Sequence, residues 1–149
     1  MLEKVHNHPL LPDDCELAFS KSRFGSEVGY AHCIDKSTEE EDVWFVVIEL
    51  EEKHSGAPGR GHGAVTLAML DEAMGRAASR SVNQLCYTAS LTTNFCNGSK
   101  IGEFLIAEAR VKRAGKSMVF VEAALHGEEK LIATASGVFA NSGLPIPAT

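Results

Sequence analysis

The stretch PGRGHGAVTLAMLDEAMGRAASR, residues Pro58 to Arg80, decides the fold. A run of glycines closes at His62-Gly63, and about eighteen proline-free residues dense in Ala, Leu and Met follow. That pattern predicts one helix starting at the glycine turn. At roughly 100° per residue, Leu67, Leu70, Met74, Ala77 and Ala78 gather on one side, and Glu72, Arg76 and Ser79 on another. Asp71 falls beside Leu67 and Ala78, at the rim of the apolar face, where a carboxylate is costly to bury without partners or a task. Glu72 stands four residues before Arg76 and reads as half of a solvated i,i+4 pair. Asp71 is therefore the acid to follow.

Working outward, residues 1–24 read as an irregular or partly helical lead-in, broken by prolines. Glu27 to Ile34 alternates through Val28, Tyr30, His32 and Ile34 and predicts a first strand; the acidic run Asp35 to Asp42 predicts a solvated turn. Val43 to Leu50 is β-branched and aromatic on both faces, which suits a strand buried on both sides or placed at a subunit contact. After the helix, Leu85 to Cys96 alternates, with Leu85, Tyr87, Ala89, Leu91 and Phe95 on one face and Thr88, Ser90, Thr92 and Asn94 on the other. Phe104–Arg113, Ser117–His126 and Lys130–Ala140 are three further strands, joined through Gly115 and Gly127. Residues 142–149, with Gly and two prolines, read as a flexible tail. The order strand, strand, long helix, four strands predicts an α+β domain over residues 25–141, an antiparallel sheet with a single helix against one face. Such a sheet keeps exposed edges and poorly covered regions, so self-association is expected.

At 149 residues with 44% hydrophobic content the chain fits one domain with a small core. Its net charge of −6 argues against a nucleic-acid partner, which needs a basic face. No apolar run approaches the length of a membrane span, and the N-terminal residues lack a signal-peptide pattern, so a soluble cytoplasmic protein with no membrane partner is expected. Cys15, Cys33, Cys86 and Cys96 show no CxxC spacing and are expected as reduced structural thiols. The six histidines are scattered without an i,i+4 pair, which gives no metal site. Gly56, Gly59, Gly61 and Gly63 lack the Gly-Lys-Ser/Thr that a phosphate loop requires.

His62-Gly63, Asp71 nine residues after the histidine, Gly75 within the helix, and the meander strands with their Arg113-Ala-Gly-Lys116 turn together resemble the hotdog-fold acyl-CoA thioesterases of the PaaI-like branch. The resemblance covers roughly residues 27–140. It implies a hotdog fold, an antiparallel sheet wrapped around one long central helix, with two subunits forming one continuous sheet as a homodimer or a dimer of dimers. It implies hydrolysis of an acyl-CoA to coenzyme A and a carboxylic acid, with no cofactor beyond the coenzyme A of the substrate. Gly63 matches the family position whose backbone N–H, at the helix N-terminus, binds the thioester carbonyl oxygen, a place where unpaired N–H groups and the helix dipole suit an oxyanion. Asp71, presented from the partner subunit, matches the general base or nucleophile. Thr88 matches a hydroxyl that holds the water, with Ser90 as a substitute, and His62 belongs to the same motif.

The cluster Arg110, Lys112, Arg113 and Lys116, the densest basic region of an acidic chain, is a candidate for the phosphates of coenzyme A, and Arg60 beside the glycine turn is another. Each residue also has a structural reading. Asp71 would then be a helix carboxylate bonded to a neighbouring segment, His62 a loop-fixing hydrogen-bonding group, and the lysines solubilising residues at a strand end. Two departures from the family pattern stand out. Gly56 occupies the place of the usual Asn or Gln before the His-Gly pair, and Gly63-Ala64 replaces Gly-Gly. The alternative function, a non-catalytic acyl-CoA or small-ligand binding protein, rests mainly on Gly56; a hydratase or dehydratase lacks its own His and acid arrangement here.

Overall fold

The computed structural model describes residues 5, 7–34 and 42–147; apart from Asp42, the acidic run expected as a turn lies outside them. In chain order the elements are β1 (Glu16–Phe19), α1 (Arg23–Val28), β2 (Ala31–Ile34), β3 (Val43–Glu49), α2 (Gly63–Val82), β4 (Cys86–Phe95), β5 (Phe104–Ala114), β6 (Met118–His126) and β7 (Leu131–Asn141). The seven strands form one antiparallel sheet in the order β1-β2-β3-β5-β6-β7-β4, with α2 packed along one face. This is the sheet wrapped around a long helix that the resemblance implies.

The last three strands follow from tight turns, closed by Gly115 N–H donating to Met118 O at 2.8 Å and Gly127 N–H to Lys130 O at 2.8 Å. The lead-in differs from the sequence reading. Part of it is a strand, β1, paired with β2, and the region expected as one strand from Glu27 is instead the end of α1 followed by β2. Ser22 caps α1 by accepting from Gly25 N–H, and Gly29 ends it at φ 90°, a left-handed conformation that glycine adopts without steric cost. At the other end of the chain, Ser142 and Leu144 stay tied to Leu85 by backbone bonds of 3.0 and 2.9 Å, so the sheet holds the first residues of the expected tail.

β3 is buried on both faces within one chain. Trp44, Val46 and Ile48 face α2, while Val43, Phe45 and Val47 pack with Val5, Leu11 and Cys15 of the lead-in. The lead-in therefore serves as a cover for the back of the sheet. The expectation of four reduced cysteines is corrected here: Cys15 and Cys33 form a disulfide, with Cα atoms 5.5 Å apart, while Cys86 and Cys96 are free. The pairing of Leu17 with Cys33 across β1 and β2 brings the two thiols together, a proximity that the spacing in sequence does not show.

The buried face of α2 is Met69, Leu70, Ala73, Met74, Ala77 and Ala78, with Thr66 and Ser79. Two sequence assignments change. Leu67 stays 37% exposed, and Ser79, placed on the polar side, is buried and accepts from Cys86 N–H at 3.0 Å. The reason is position in the sheet: the helix flank bearing Leu67 lies toward β4, the sheet's edge, where one chain supplies little cover. Gly137 on β7 allows the close approach of α2, because a Cβ there would come 2.7 Å from the Phe139 ring and 3.2 Å from Met74 Sδ.

Candidate active site on the helix flank

Helix α2 begins at Gly63 with His62 as its cap. His62 Nδ1 accepts from Ala64 N–H at 2.8 Å and its carbonyl from Val65 N–H at 3.0 Å. An imidazole that accepts through Nδ1 carries its proton on Nε2, so His62 has a structural duty at the loop-to-helix junction. Gly63 is exposed, and among the described residues no acceptor is assigned to its N–H. No acidic residue occupies the first turn of α2, so nothing there offsets the positive end of the helix dipole. The first turn can thus receive a negatively charged oxygen.

Gly63, Leu67 and Asp71 follow at four-residue intervals and share one flank of α2, alongside β4. At one end Gly63 abuts Phe95, whose ring would lie 3.5 Å from a Cβ at position 63. At the other, Thr88 donates its hydroxyl to Asp71 Oδ1 at 2.5 Å. A bulge between Thr88 and Ser90 makes this contact possible. Thr88 stands opposite the buried Phe139, and Ser90 opposite Val138 on the other side of the sheet. The bulge shifts the strand's alternation by one residue, so the single polar face expected for Thr88, Ser90, Thr92 and Asn94 does not form. Thr88 joins Asp71. Ser90 lies on the outer face, beside Thr92, Lys112, Phe120 and Ser136, away from Asp71.

The basic residues divide. Arg60 is at the Gly63 end, reaching over Gly98 and bridging to Lys100 through the backbone. Arg113 and Lys116 are exposed at the opposite end of the sheet, where the residue 117 turn meets Asn141. Arg110 and Lys112 are already near carboxylates, at 3.7 Å from Glu108 and 3.9 Å from Glu122. Within one chain, then, only Arg60 of the expected phosphate-binding residues accompanies Gly63. Gly56 is closely neighboured: a Cβ there would lie 3.2 Å from His62 Cα and ring, so a larger residue needs the capping loop to give by a few tenths of an ångström.

Glu72 does not behave as the solvated partner of Arg76 that its spacing predicts. His32 Nε2 lies 3.1 Å from Glu72 Oε1, with the His32 side chain only 7% exposed. Trp44 Nε1–H donates to His32 Nδ1 at 2.8 Å, which leaves the proton on Nε2, directed at Glu72. The Tyr30 ring meets the His32 ring edge-on, with centroids 5.7 Å apart, and its hydroxyl acts on the same carboxylate; the Arg76 and Arg80 guanidinium groups stand 6.0 and 5.6 Å from the Trp44 ring centre. Burial pushes the Glu72 carboxyl up, but the His32 and Tyr30 hydrogen bonds and the Arg76 charge outweigh it and hold the group below the usual carboxylate range. Burial and the neighbouring Glu72 charge raise the Tyr30 hydroxyl well above its ordinary value, so it remains a donor. His32 and Tyr30, which act on Glu72, and Trp44, which orients His32, are far away from it in sequence. The signal that could have found them is a Tyr and a His on an otherwise apolar strand, both needing a buried partner.

A carboxyl depressed in the folded state stabilises the fold above its unfolded value and loses that contribution as the pH falls through the folded one. For Glu72 the loss begins below about pH 4.5. Glu72→Gln, which does not titrate, is expected to show a shallower fall of melting temperature below that pH than the wild type. Identical slopes in thermal melts would contradict the buried network.

Among the described residues there is no group of three or more His, Cys, Asp or Glu side chains that could hold a metal ion, and no helix is long and apolar enough to cross a membrane.

The family model of the thioesterase superfamily matches residues 59–133, which span the glycine turn, α2, β4 to β6 and the start of β7. The Pseudomonas aeruginosa protein PA0474, named a candidate esterase, is 36% identical over 96 residues, which cover 63% of this chain and 72% of that protein. Among solved structures, the conserved protein PA5202 of Pseudomonas aeruginosa superposes with a TM-score of 0.72 at 26% identity, over 80% of this chain and 94% of that one. The Escherichia coli PaaI protein from the phenylacetic acid degradation operon gives 0.76 at 18% identity, over 85% and 89%. The smu.793 protein of Streptococcus mutans, solved with acetyl-CoA bound, gives 0.66 at 20% identity, over 71% and 86%. The last two likenesses are of fold.

Proposed function

The chain belongs to the thioesterase superfamily, and on that premise we propose that it hydrolyses acyl-CoA thioesters at a site shared between two subunits. The observation that carries the reading is the helix flank itself, with a free N-terminal amide at Gly63 and a hydroxyl-bonded carboxylate at Asp71. Eight residues of helix separate the two, about 12 Å at a rise of ~1.5 Å per residue. One chain therefore cannot apply both groups to a single carbonyl. A second copy related by a two-fold axis, lying against the β4 edge, can supply Asp71 to the Gly63 of the first.

The β4 edge supports this arrangement. It is ten residues long, pairs among the described residues with β7 alone, and leaves Tyr87 and Phe95 54% and 57% exposed. A long unpaired edge beside exposed aromatic groups is a template for pairing with another strand. Joining two such edges continues the sheet and covers the Leu67 flank of α2.

In the reaction, the thioester carbonyl oxygen lies against Gly63 N–H, where charge developing on it is stabilised by the amide and the helix dipole. Asp71 of the other subunit acts on the carbonyl carbon, through a water whose proton it takes or as the attacking oxygen itself. In the water route a C–O bond forms, the tetrahedral intermediate collapses, the C–S bond breaks, and the thiolate of coenzyme A takes the proton from Asp71. Thr88 occupies one carboxylate oxygen and so orients the other. Arg60, at the Gly63 end, is placed to meet the phosphates of coenzyme A, and the partner's copy of the Arg110–Lys116 region is the second source of positive charge. The chemistry draws on the chain's own groups and a water.

The test is release of free thiol from short, medium, long and aromatic acyl-CoAs by the wild type and the Asp71→Ala variant in parallel. Activity that disappears in the variant supports the reading. No activity on any substrate, with measurable acyl-CoA binding, would favour a binding protein and put Gly56 at the centre of the explanation. Thr88→Val, which removes the hydroxyl bonded to Asp71, is expected to lower kcat about tenfold, in keeping with a hydrogen bond to a charged group. An unchanged kcat would mean that Thr88 does not orient the carboxylate.

A further inference from the structure

We propose that Glu72 is a positioning residue for the reaction at Asp71: paired with the buried His32, it fixes the rotation of α2 about its axis and with it the place of the neighbouring carboxylate. This rests on the assignment of Asp71 above.

The need for such a device follows from the packing of the helix. Its buried face is three alanines, one leucine and two methionines, with Thr66 and Ser79. Alanine offers little relief for neighbours to grip, and methionine adapts its shape to the space it is given. Such a face holds the helix against the sheet without sharply setting its rotation. Directional bonds do that better. At the C-terminal end the Ser79–Cys86 bond of 3.0 Å serves. Near the site, the bonds at Glu72 serve.

The geometry of the lock is specific. Glu72 and Asp71 are consecutive, about 100° apart around the axis, so one points to β2 and β3 while the other points to β4. The His32 ring that meets Glu72 at 3.1 Å is itself oriented by the Trp44 indole at 2.8 Å. Tyr30 supports the same arrangement, its ring edge-on to His32 at 5.7 Å and its hydroxyl acting on the Glu72 carboxylate. A rotation of only about 10° would move a carboxylate carried roughly 5–6 Å from the axis by about 1 Å. A misplacement of that size is enough to cost on the order of 10²-fold in rate.

The experiment compares Glu72→Ala, Glu72→Gln and Tyr30→Phe with the wild type in acyl-CoA hydrolysis, at a temperature well below each melting point, together with Asp71→Asn. Glu72→Ala is expected to lower kcat about 10- to 100-fold with KM within about twofold. E72Q keeps an acceptor for His32 Nε2–H and is expected to restore kcat to within about threefold of wild type. A residue that only stabilised the fold would lower the melting temperature of Glu72→Ala without changing kcat in the folded protein. Wild-type kcat in Glu72→Ala, a change confined to KM, or a loss that E72Q fails to restore would each overturn the proposal. Should Glu72→Ala not fold, Tyr30→Phe decides: it removes one hydroxyl and keeps the ring, and a threefold to tenfold loss of kcat is expected. Wild-type kcat in Tyr30→Phe would then overturn the proposal. If Asp71→Asn is inactive while Glu72→Ala turns over normally, the reaction assignment stands and only the positioning role falls; a fully active Asp71→Asn removes the assignment itself.

Discussion

Asp71→Ala is expected to lower kcat for acyl-CoA hydrolysis by at least about 10²-fold while leaving the fold intact, the loss typical of a missing general base or nucleophile. The fold should survive because Asp71 is half-buried at the rim of α2, and its assigned hydrogen-bond partner is the Thr88 hydroxyl. Alanine is also the best helix former available at that position. Circular dichroism and kcat on the same preparations separate the two effects. Turnover within a few fold of wild type would remove Asp71 from the site. The neighbouring Glu72→Ala should be less damaging, since Glu72 acts through the orientation of the helix and touches no reacting atom.

Gly63→Pro should be nearly as severe, and for a different reason. Proline deletes the N–H that the account places on the carbonyl oxygen. It does so at the first position of a helix, where proline's fixed φ fits and the missing donor has no intrahelical acceptor to lose. The preceding His62 has φ −68° and ψ 138°, the extended conformation that a residue before proline prefers. The fold should therefore accept the change. Loss of one oxyanion donor costs on the order of 10²- to 10³-fold in kcat. Gly63→Ala separates the donor from the shape: it keeps the N–H, and its Cβ would sit 3.5 Å from the Phe95 ring, an ordinary contact. Equal losses in the two variants would show that the space at residue 63 matters and the amide does not.

Much of this arrangement is legible in the sequence because its signals are local. A glycine turn running into a proline-free Ala- and Leu-rich segment marks the helix, and Gly115 and Gly127 mark the turns of the last strands. The His-Gly pair and Asp71 nine residues on mark the flank. What is not legible depends on contacts made at a distance. The bulge beside Thr88 leaves a sequence of ordinary alternation, yet it turns that hydroxyl toward Asp71 and sends Ser90 to the other face. Glu72 reads as a surface acid from its spacing to Arg76, and only the folding of β2 and β3 against α2 shows its pairing with the buried His32. Helix periodicity alone placed Leu67 inside and Ser79 outside. The sheet covers the helix unequally on its two sides, which reverses both. The strand in the lead-in escaped because four residues are too few to show alternation.

The central claim, a site built from Gly63 of one subunit and Asp71 of another, is tested most directly by mixing two inactive proteins. Gly63→Pro and Asp71→Ala subunits, co-refolded in equal amounts, form mixed dimers in which one of the two sites has both native groups. If half of the dimers are mixed, the preparation is expected to recover about a quarter of wild-type activity. Activity no greater than the sum of the two parents, in a sample shown to contain mixed dimers, would contradict a shared site.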